Sequence, residues 1–334
     1  MSTKRELVLK AFHNEKTDRI PVGFWHHYLD GEDFNAALEK PELLKKNLEG
    51  HKKFKEDFDP DFVKIMTDGF FFLPFDFGSI QTVKDLRNLK PLPSDHVFFE
   101  KNEELVRGVR EIYGEDVLLY FNEFAPFNQL LLGIGGPGGG AFGPQKIKAL
   151  LEEDGSAVAH ALDVIAESLN ELTRRVVKPG LADGIYLSVN NPNRSIPAQI
   201  YSAFISPSEI KVLEAANKLA ADNILHICGY QGNKNILFVY QDYPVTVVNW
   251  AVFAEGVGLA EGKKYFGGKA VIGGFGNTTD SVLYSGSKEE IEKYVEELLA
   301  SVGREGVIIG ADCTVPADTD VQRLRWVRDK AAAI

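Results

Sequence analysis

The order of elements along this 334-residue chain predicts an α/β protein built as a single (β/α)8 TIM barrel. Eight short runs rich in β-branched and aromatic residues recur along it, and segments of helical periodicity lie between most of them. Strands alternating with helices imply parallel pairing through right-handed crossovers, and eight such units favour a closed barrel over an open sheet. Polar residues also gather just beyond the ends of the runs, where a barrel of this kind carries its active site.

The elements follow in order. A helix over 3–12 opens on Thr3 with Glu6 three residues later, the pattern of a reciprocal cap, and forms an N-terminal extension before the first strand. That strand is predicted over 20–25 and leads into His26 and His27. The second, over 62–67, ends at Asp68, and the third, over 116–121, is followed by Asn122 and Glu123. A glycine-rich stretch from Gly133 to Gly140 and a helical pattern over 147–177, long or broken, precede the fourth strand at 184–189, which ends at Asn190 and Asn191. The fifth strand, 224–228, contains His226 and Cys228, the sixth, 245–249, ends on Asn249, and the seventh, 270–274, precedes Asn277. A helix over 288–302 has an apolar stripe of Ile291, Val295, Leu298, Leu299 and Val302, a Ser287/Glu290 capping box and Gly303 as its stop. The eighth strand, 307–311, leads to Asp312 and Cys313.

Composition narrows the function classes. With 48 acidic against 37 basic residues the net charge is −11, which opposes sequence-independent nucleic-acid binding or attachment to an acidic membrane. The N-terminus has no apolar targeting core, and no apolar run approaches the roughly 18 residues of a membrane span. Two cysteines without a disulfide framework fit a reducing cytoplasm. No repeat, linker or charge boundary divides the chain, so residues 1–334 are expected to be one domain. The glycine-rich stretch has neither the Gly-x-Gly-x-x-Gly register nor a following Gly-Lys-Ser/Thr, so a loop over the barrel mouth, near 133–143, is expected in place of a phosphate cradle. No Gly-x-Ser-x-Gly elbow supports a serine nucleophile.

Cys228 and Cys313 are the only cysteines, and both fall at the ends of predicted strands. In an extended segment residues i and i+2 share a face, so His226 and Cys228 present an imidazole and a thiolate side by side. One nitrogen and two sulfurs suit Zn²⁺ and leave a fourth tetrahedral position for water or substrate. The competing reading is that free cysteines serve as small buried hydrophobes and the histidine as a satisfied core residue. Around the His26-His27 doublet, Trp25 and Tyr28 supply aromatic surface suited to a small ligand; metal ligation, substrate hydrogen bonding and plain packing all remain open there.

With these residues placed, the chain resembles the uroporphyrinogen decarboxylase superfamily over nearly its whole length. Thr3-Lys4-Arg5-Glu6 through Thr17-Asp18-Arg19-Ile20-Pro21-Val22 is similar to that family's N-terminus, Leu225-His226-Ile227-Cys228-Gly229 to its central signature, and Gly310-Ala311-Asp312-Cys313-Thr314-Val315-Pro316-Ala317-Asp318-Thr319 to its C-terminal signature. The fold the resemblance implies is the barrel reached above. Decarboxylases of the family grip a tetrapyrrole's carboxylates with an arginine-rich N-terminal segment. Here the matching stretch is Gly23-Phe24-Trp25-His26-His27-Tyr28-Leu29, without arginine, although Asp68 stands where a family aspartate faces the pyrrole nitrogens.

The family's other branch comprises zinc-dependent methylcobalamin:thiol methyltransferases, and His226, Cys228 and Cys313 match its ligand pattern one by one. The resemblance implies one Zn²⁺ per chain, a small thiol as acceptor and methylcobalamin as a donor not tightly bound. No corrinoid-binding Asp-x-His-x-x-Gly occurs, so the corrinoid would be carried by a separate protein. On this reading Asp68, His26 and Glu123 are the candidate catalytic residues, Trp25, His27, Asn249 and Asn277 line the substrate site, and a cytoplasmic chain, open to forming a homodimer, is expected. Two alternatives stand beside it: a carboxy-lyase acting on a tetrapyrrole or another small acid, with Asp68 and a histidine as acid and base, and a metal sensor or store with no reaction.

Overall fold

The computed structural model describes residues 2–134, 143–191 and 196–334, so most of the predicted glycine-rich loop, 135–142, lies outside the described residues. Among the described residues seven strands form one parallel sheet in sequence order: β1 (Phe62–Ile65), β2 (Leu118–Phe124), β3 (Gly184–Val189), β4 (Ile224–Ile227), β5 (Val247–Trp250), β6 (Ala270–Phe275) and β7 (Val307–Ala311). The helices are α1 (Lys4–Phe12), α2 (Glu42–Asp57), α3 (Val83–Asn88), α4 (Val97–Tyr113), α5 (Pro126–Ile134), α6 (Gly143–Val176), α7 (Ala198–Phe204), α8 (Ser206–Asn217), α9 (Val252–Glu255), α10 (Leu259–Tyr265), α11 (Val282–Ser285), α12 (Lys288–Val302) and α13 (Val321–Ala333). Both predicted capping boxes form, at Thr3/Glu6 and at Ser287/Glu290. Helix α6 is broken at Asp154, whose extended backbone interrupts the helix and whose carboxylate accepts the Ala157 N–H at 3.1 Å to restart it. No helix among the described residues is long and apolar enough to cross a membrane.

The segment 20–25, expected as the first of eight strands, is not a strand. Only Val22 bridges, in parallel, to Ile309, through Gly23 N–H to the Ile309 carbonyl and Ile309 N–H to the Pro21 carbonyl, both 2.9 Å. On the other side Asp61 N–H reaches the Val22 carbonyl at 3.1 Å. The segment thus occupies the gap between β7 and the start of β1, and the fold is barrel-like with a seven-stranded sheet. Three local features prevent a ladder there. Pro21 has no N–H to give. The Val22 N–H is taken by the Asp61 carboxylate at 2.8 Å, itself paired with Arg19. At Gly23 an added Cβ would stand 2.2 Å from the Phe62 ring, so the backbone passes too close to β1 for a pleated side chain.

Side chains alternate between two cores. Phe62, Leu118, Ile224, Val247 and Ala270, the first residues of β1, β2, β4, β5 and β6, point inward and meet Val8, Ala11 and Phe12 of α1. Helix α1 therefore seals the end where the strands begin. The alternate residues, such as Val63, Ile65, Leu119, Phe121, Leu225 and Trp250, point outward and pack under the helices. This parity leaves the other end of the sheet, where the strands finish, for polar groups. Phe12 is the largest of the α1 residues in this seal, and Phe12→Ala should lower the unfolding free energy in urea by about 3–5 kcal/mol; a loss below about 1 kcal/mol would mean that α1 does not hold the barrel floor.

Candidate metal centre

Three elements position the three predicted ligands. His226 is the third residue of β4, pointing inward like Ile224. Cys228 lies just past the strand, but its N–H still bonds to the Val189 carbonyl at 2.8 Å, continuing the β3 ladder and keeping the thiol on the face of His226. Gly229 then lets the chain turn away: a Cβ there would sit 2.4 Å from that of Ala251. Cys313 is bracketed by two backbone bonds, Asp312 N–H to the Phe275 carbonyl at 2.8 Å and Val315 N–H to the Trp25 carbonyl at 3.0 Å. The two sulfurs are 4.0 Å apart, and the ligand atoms of His226, Cys228 and Cys313 all lie within 4.8 Å of one another.

The surroundings fix which imidazole nitrogen faces the sulfurs. Asn249 donates its amide N–H groups to the Ile272 and Ala311 carbonyls at 2.8 and 3.2 Å, which turns its Oδ1 toward the histidine. That oxygen accepts from His226 Nδ1 at 2.5 Å and from the Tyr186 hydroxyl at 2.6 Å. An acceptor on that side puts the ring proton on Nδ1 and leaves Nε2 with a free lone pair. Nε2 is buried and finds no hydrogen-bond partner among the described residues, which is costly unless something else takes that lone pair. Tyr186 also stacks on the imidazole, with ring centroids 5.3 Å apart, and limits its rotation.

The donor set fits a zinc ion on two counts. Sulfurs at the vertices of a tetrahedron of Zn–S bonds stand about 3.8 Å apart, close to the 4.0 Å found here. The orphaned Nε2 supplies the neutral nitrogen donor that such a set uses. Charge points the same way. The hydrogen bond from Cys228, with the Lys64 charge adding to it, holds the Cys313 thiol well below its ordinary pKa. Cys228, facing that thiolate, is pushed well above. A cation between them removes the repulsion that keeps the second proton on.

The other predicted residues are divided among several places. His27 Nδ1 pairs with Asp68 Oδ1 at 2.9 Å, and the second Asp68 oxygen accepts the N–H groups of Tyr28 and Leu29 at 2.6 and 3.2 Å. This buried carboxylate therefore organises the turn after residue 25. His26 turns away: its Nδ1 meets the His27 carbonyl at 2.9 Å, its ring packs on Phe54 and Tyr28, and burial lowers its pKa. It lines a cavity of about 270 Å³ between α2 and the segment after β7, together with Tyr28, Phe54, Val315 and Leu324. Trp25 is buried against Phe62 and Tyr186 in the barrel. Asn277 braces the neighbour of Cys313 by donating to the Thr314 carbonyl at 3.1 Å.

Glu123 requires a correction, because its carboxylate does not face the mouth. Strand β2 runs to Phe124, three residues beyond the predicted end at 121, with Leu118 and Tyr120 inward; parity then sends Asn122 inward and Glu123 outward. Glu123 accepts from the Thr173 hydroxyl of α6 at 2.9 Å, and burial raises its pKa to about 8. Asn122 instead joins Thr67 and Ser188 at the interior.

The model of the uroporphyrinogen decarboxylase (URO-D) family matches residues 77–333, about three quarters of the chain. The chain belongs to the uroporphyrinogen decarboxylase family. The match takes in His226, Cys228 and Cys313 and begins after His26, His27 and Asp68. No curated protein matches the chain significantly. Among solved structures, a methyltransferase from Methanosarcina mazei is similar, with a TM-score of 0.71 and 15% identity over 100% of this chain and 99% of its own. A B12-independent methionine synthase from Shewanella sp. W3-18-1, in complex with selenomethionine, has a TM-score of 0.51 and 15% identity over 94% of this chain and 93% of its own. A putative vitamin-B12 independent methionine synthase from Listeria monocytogenes has a TM-score of 0.52 and 10% identity over 94% and 98%. At these identities the likeness is one of fold.

In this member of the uroporphyrinogen decarboxylase family, two residues that the sequence reading passed over stand beside the trio: Tyr186 and Lys64. Tyr186 shares the inward parity of Ser188 within a correctly bounded strand. Lys64 is the one charged residue in the otherwise apolar β1 and is buried, the signal that could have found it.

Two expectations follow. Asn249→Leu should free the His226 ring and weaken zinc binding about 10–100-fold, read by competition with a chromophoric chelator; unchanged affinity would deny Asn249 a role in orienting the ligand. Glu123 sets a pH dependence: from about pH 4.5 to about 8 the unfolded chain has released the proton that the folded chain keeps, so stability falls as pH rises through that window. Glu123→Gln should therefore gain on the parent, by on the order of 1–4 kcal/mol, between pH 5 and pH 8 in urea unfolding. A pH-independent difference between the two proteins would contradict the raised carboxyl.

Proposed function

We propose that this protein moves a methyl group from methylcobalamin, carried on a separate corrinoid protein, to a small thiol. The observation that carries the reading is the convergence of His226 Nε2, Cys228 Sγ and Cys313 Sγ on one point at the strand ends, with the imidazole tautomer set for ligation. These three would hold a Zn²⁺ ion, which when bound supplies the Lewis acidity that keeps a substrate thiol ionised near neutral pH. A three-ligand set leaves room for such a sulfur, whereas a closed structural site would use four.

The chain's own residues do the rest. Asn249 and Tyr186 hold the imidazole in place, so the donor geometry exists before any substrate arrives. Trp25, Met66 and Tyr186 are buried together in the barrel interior and pack it with large side chains. A methyltransferase and two B12-independent methionine synthases among the fold neighbours are consistent with methyl transfer. The stretch 23–29 has no arginine for a tetrapyrrole's carboxylates, which weighs against decarboxylation. We place the reaction in the cytoplasm, where both thiols stay reduced.

The protein purified without chelator should carry close to one zinc per chain by elemental analysis, and Cys313→Ser should lose it. The same preparation should bleach the absorbance of methylcobalamin when 2-mercaptoethanol is added, and the Cys313→Ser variant should not. Full zinc occupancy in a Cys228→Ser, Cys313→Ser double variant would remove the proposed site, and metal-independent release of CO₂ from uroporphyrinogen would move the protein to the decarboxylase branch.

A further inference from the structure

Lys64 lies in β1 with its side chain inside the barrel and only 5% of the residue exposed. Its ammonium makes no hydrogen bond or ion pair with any described residue. Aromatic faces lie against it, with Nζ 4.6 Å from the Tyr186 ring centroid and 5.4 Å from that of Trp25. A buried cation without an anionic partner is retained only where something compensates it.

Burial pushes the pKa of the Lys64 ammonium down, and the anionic groups whose fields oppose that shift and hold the charge are Cys313, Cys228 and Asp68. Asp68 is already answered by His27 and by the N–H groups of Tyr28 and Leu29. The neutral groups around it, Trp25 and Tyr186, offer π faces but no charge. The cysteine pair is what remains. A divalent cation, two cysteine thiolates and a neutral imidazole sum to zero charge, so a neutral fourth ligand gives the set nothing to balance Lys64, whereas a thiolate in that place brings the sum of ion, ligands and Lys64 back to zero.

We infer that Lys64 is the buried counter-charge that makes this site prefer an anionic sulfur acceptor, a thiol bound as its thiolate, over neutral ligands of similar size. The inference rests on the zinc-site reading above and deepens it. Lys64 acts through charge alone and makes no bond to the acceptor, so it is a positioning and specificity residue. Tyr186, which carries the ammonium on one side and stacks on His226 on the other, links the lysine to the ligand set.

The test uses the zinc-loaded protein and its Lys64→Met, Lys64→Gln and Lys64→Arg variants, with zinc content measured first and binding then followed by titration calorimetry at pH 7. The probes are 2-mercaptoethanol, which must lose a proton to bind as an anion, and imidazole, which binds neutral. Lys64→Met and Lys64→Gln should bind 2-mercaptoethanol about tenfold more weakly or worse while imidazole binds as well as before or better, and Lys64→Arg should restore the thiol affinity. Equal thiol affinity in the zinc-loaded neutral variants overturns the inference alone. So does a parallel loss of both ligands, or of zinc, in both neutral variants, which would mark a structural lysine. Absence of zinc from the parent protein overturns the functional reading and this inference with it.

Discussion

Closure of the sheet is the constraint on which the site depends. Cys228 follows β4 and Cys313 follows β7, three strand spacings away in the sheet order. In a flat sheet those positions would stand about 14 Å apart, at roughly 4.8 Å per strand, yet the sulfurs are 4.0 Å apart. Only a sheet curled on itself brings them together. The curl is held where β7 approaches β1, by the Val22–Ile309 bridge, the Asp61 carboxylate on the Val22 N–H and the bidentate Arg19–Asp61 pair. That seam is polar at its backbone and apolar on both faces, and Gly23 lets it pass against Phe62. The same segment then delivers the Trp25 carbonyl to Val315, two residues beyond Cys313. Seam and metal centre are thus mechanically continuous.

The polar groups inside the barrel gather at one end of it. On the inside, the strand beginnings are sealed by apolar side chains of α1. At the strand ends the carbonyls of Ile272 and Ala311 point at Asn249, which spends both donors on them and both acceptor directions on His226 and Tyr186. A fully satisfied amide in a low-dielectric interior is rigid, since each bond lost would leave a buried group unpaired. The same logic applies to Asp68, whose carboxylate is shared among a histidine and two backbone amides. Lys64 is the exception in this interior, a charge with aromatic faces in place of an acceptor.

Membership of the uroporphyrinogen decarboxylase family sets a fold and a location for chemistry, not one reaction. What distinguishes this chain within the barrel is local: a soft-ligand trio on β4 and β7, and a stretch 23–29 that carries histidines and aromatics where cations would be needed for a polycarboxylate. The two histidines of that stretch part company, His27 to Asp68 and His26 to a separate cavity against α2, so neither joins the trio through a hydrogen bond among the described residues.

Much of this was legible in the sequence because it depends on local periodicity. The bounds of β3 and β7, the capping boxes of α1 and α12, and the shared face of His226 and Cys228 follow from spacings of two or of three to four residues that backbone geometry imposes. Where local pattern and tertiary contact compete, the sequence was silent or misleading. The apolar run 20–25 has strand composition, but the Val22 N–H is claimed by a carboxylate 39 residues away and Pro21 has none to give. A strand ending at 121 puts Glu123 at the mouth; the ladder with β3 carries β2 three residues further and turns the carboxylate outward. The approach of Cys228 to Cys313, the tautomer imposed by Asn249 and the isolation of Lys64 were decided by the tertiary structure alone, because each rests on the curvature that brings distant strands face to face, and no spacing along the chain encodes a distance across a barrel.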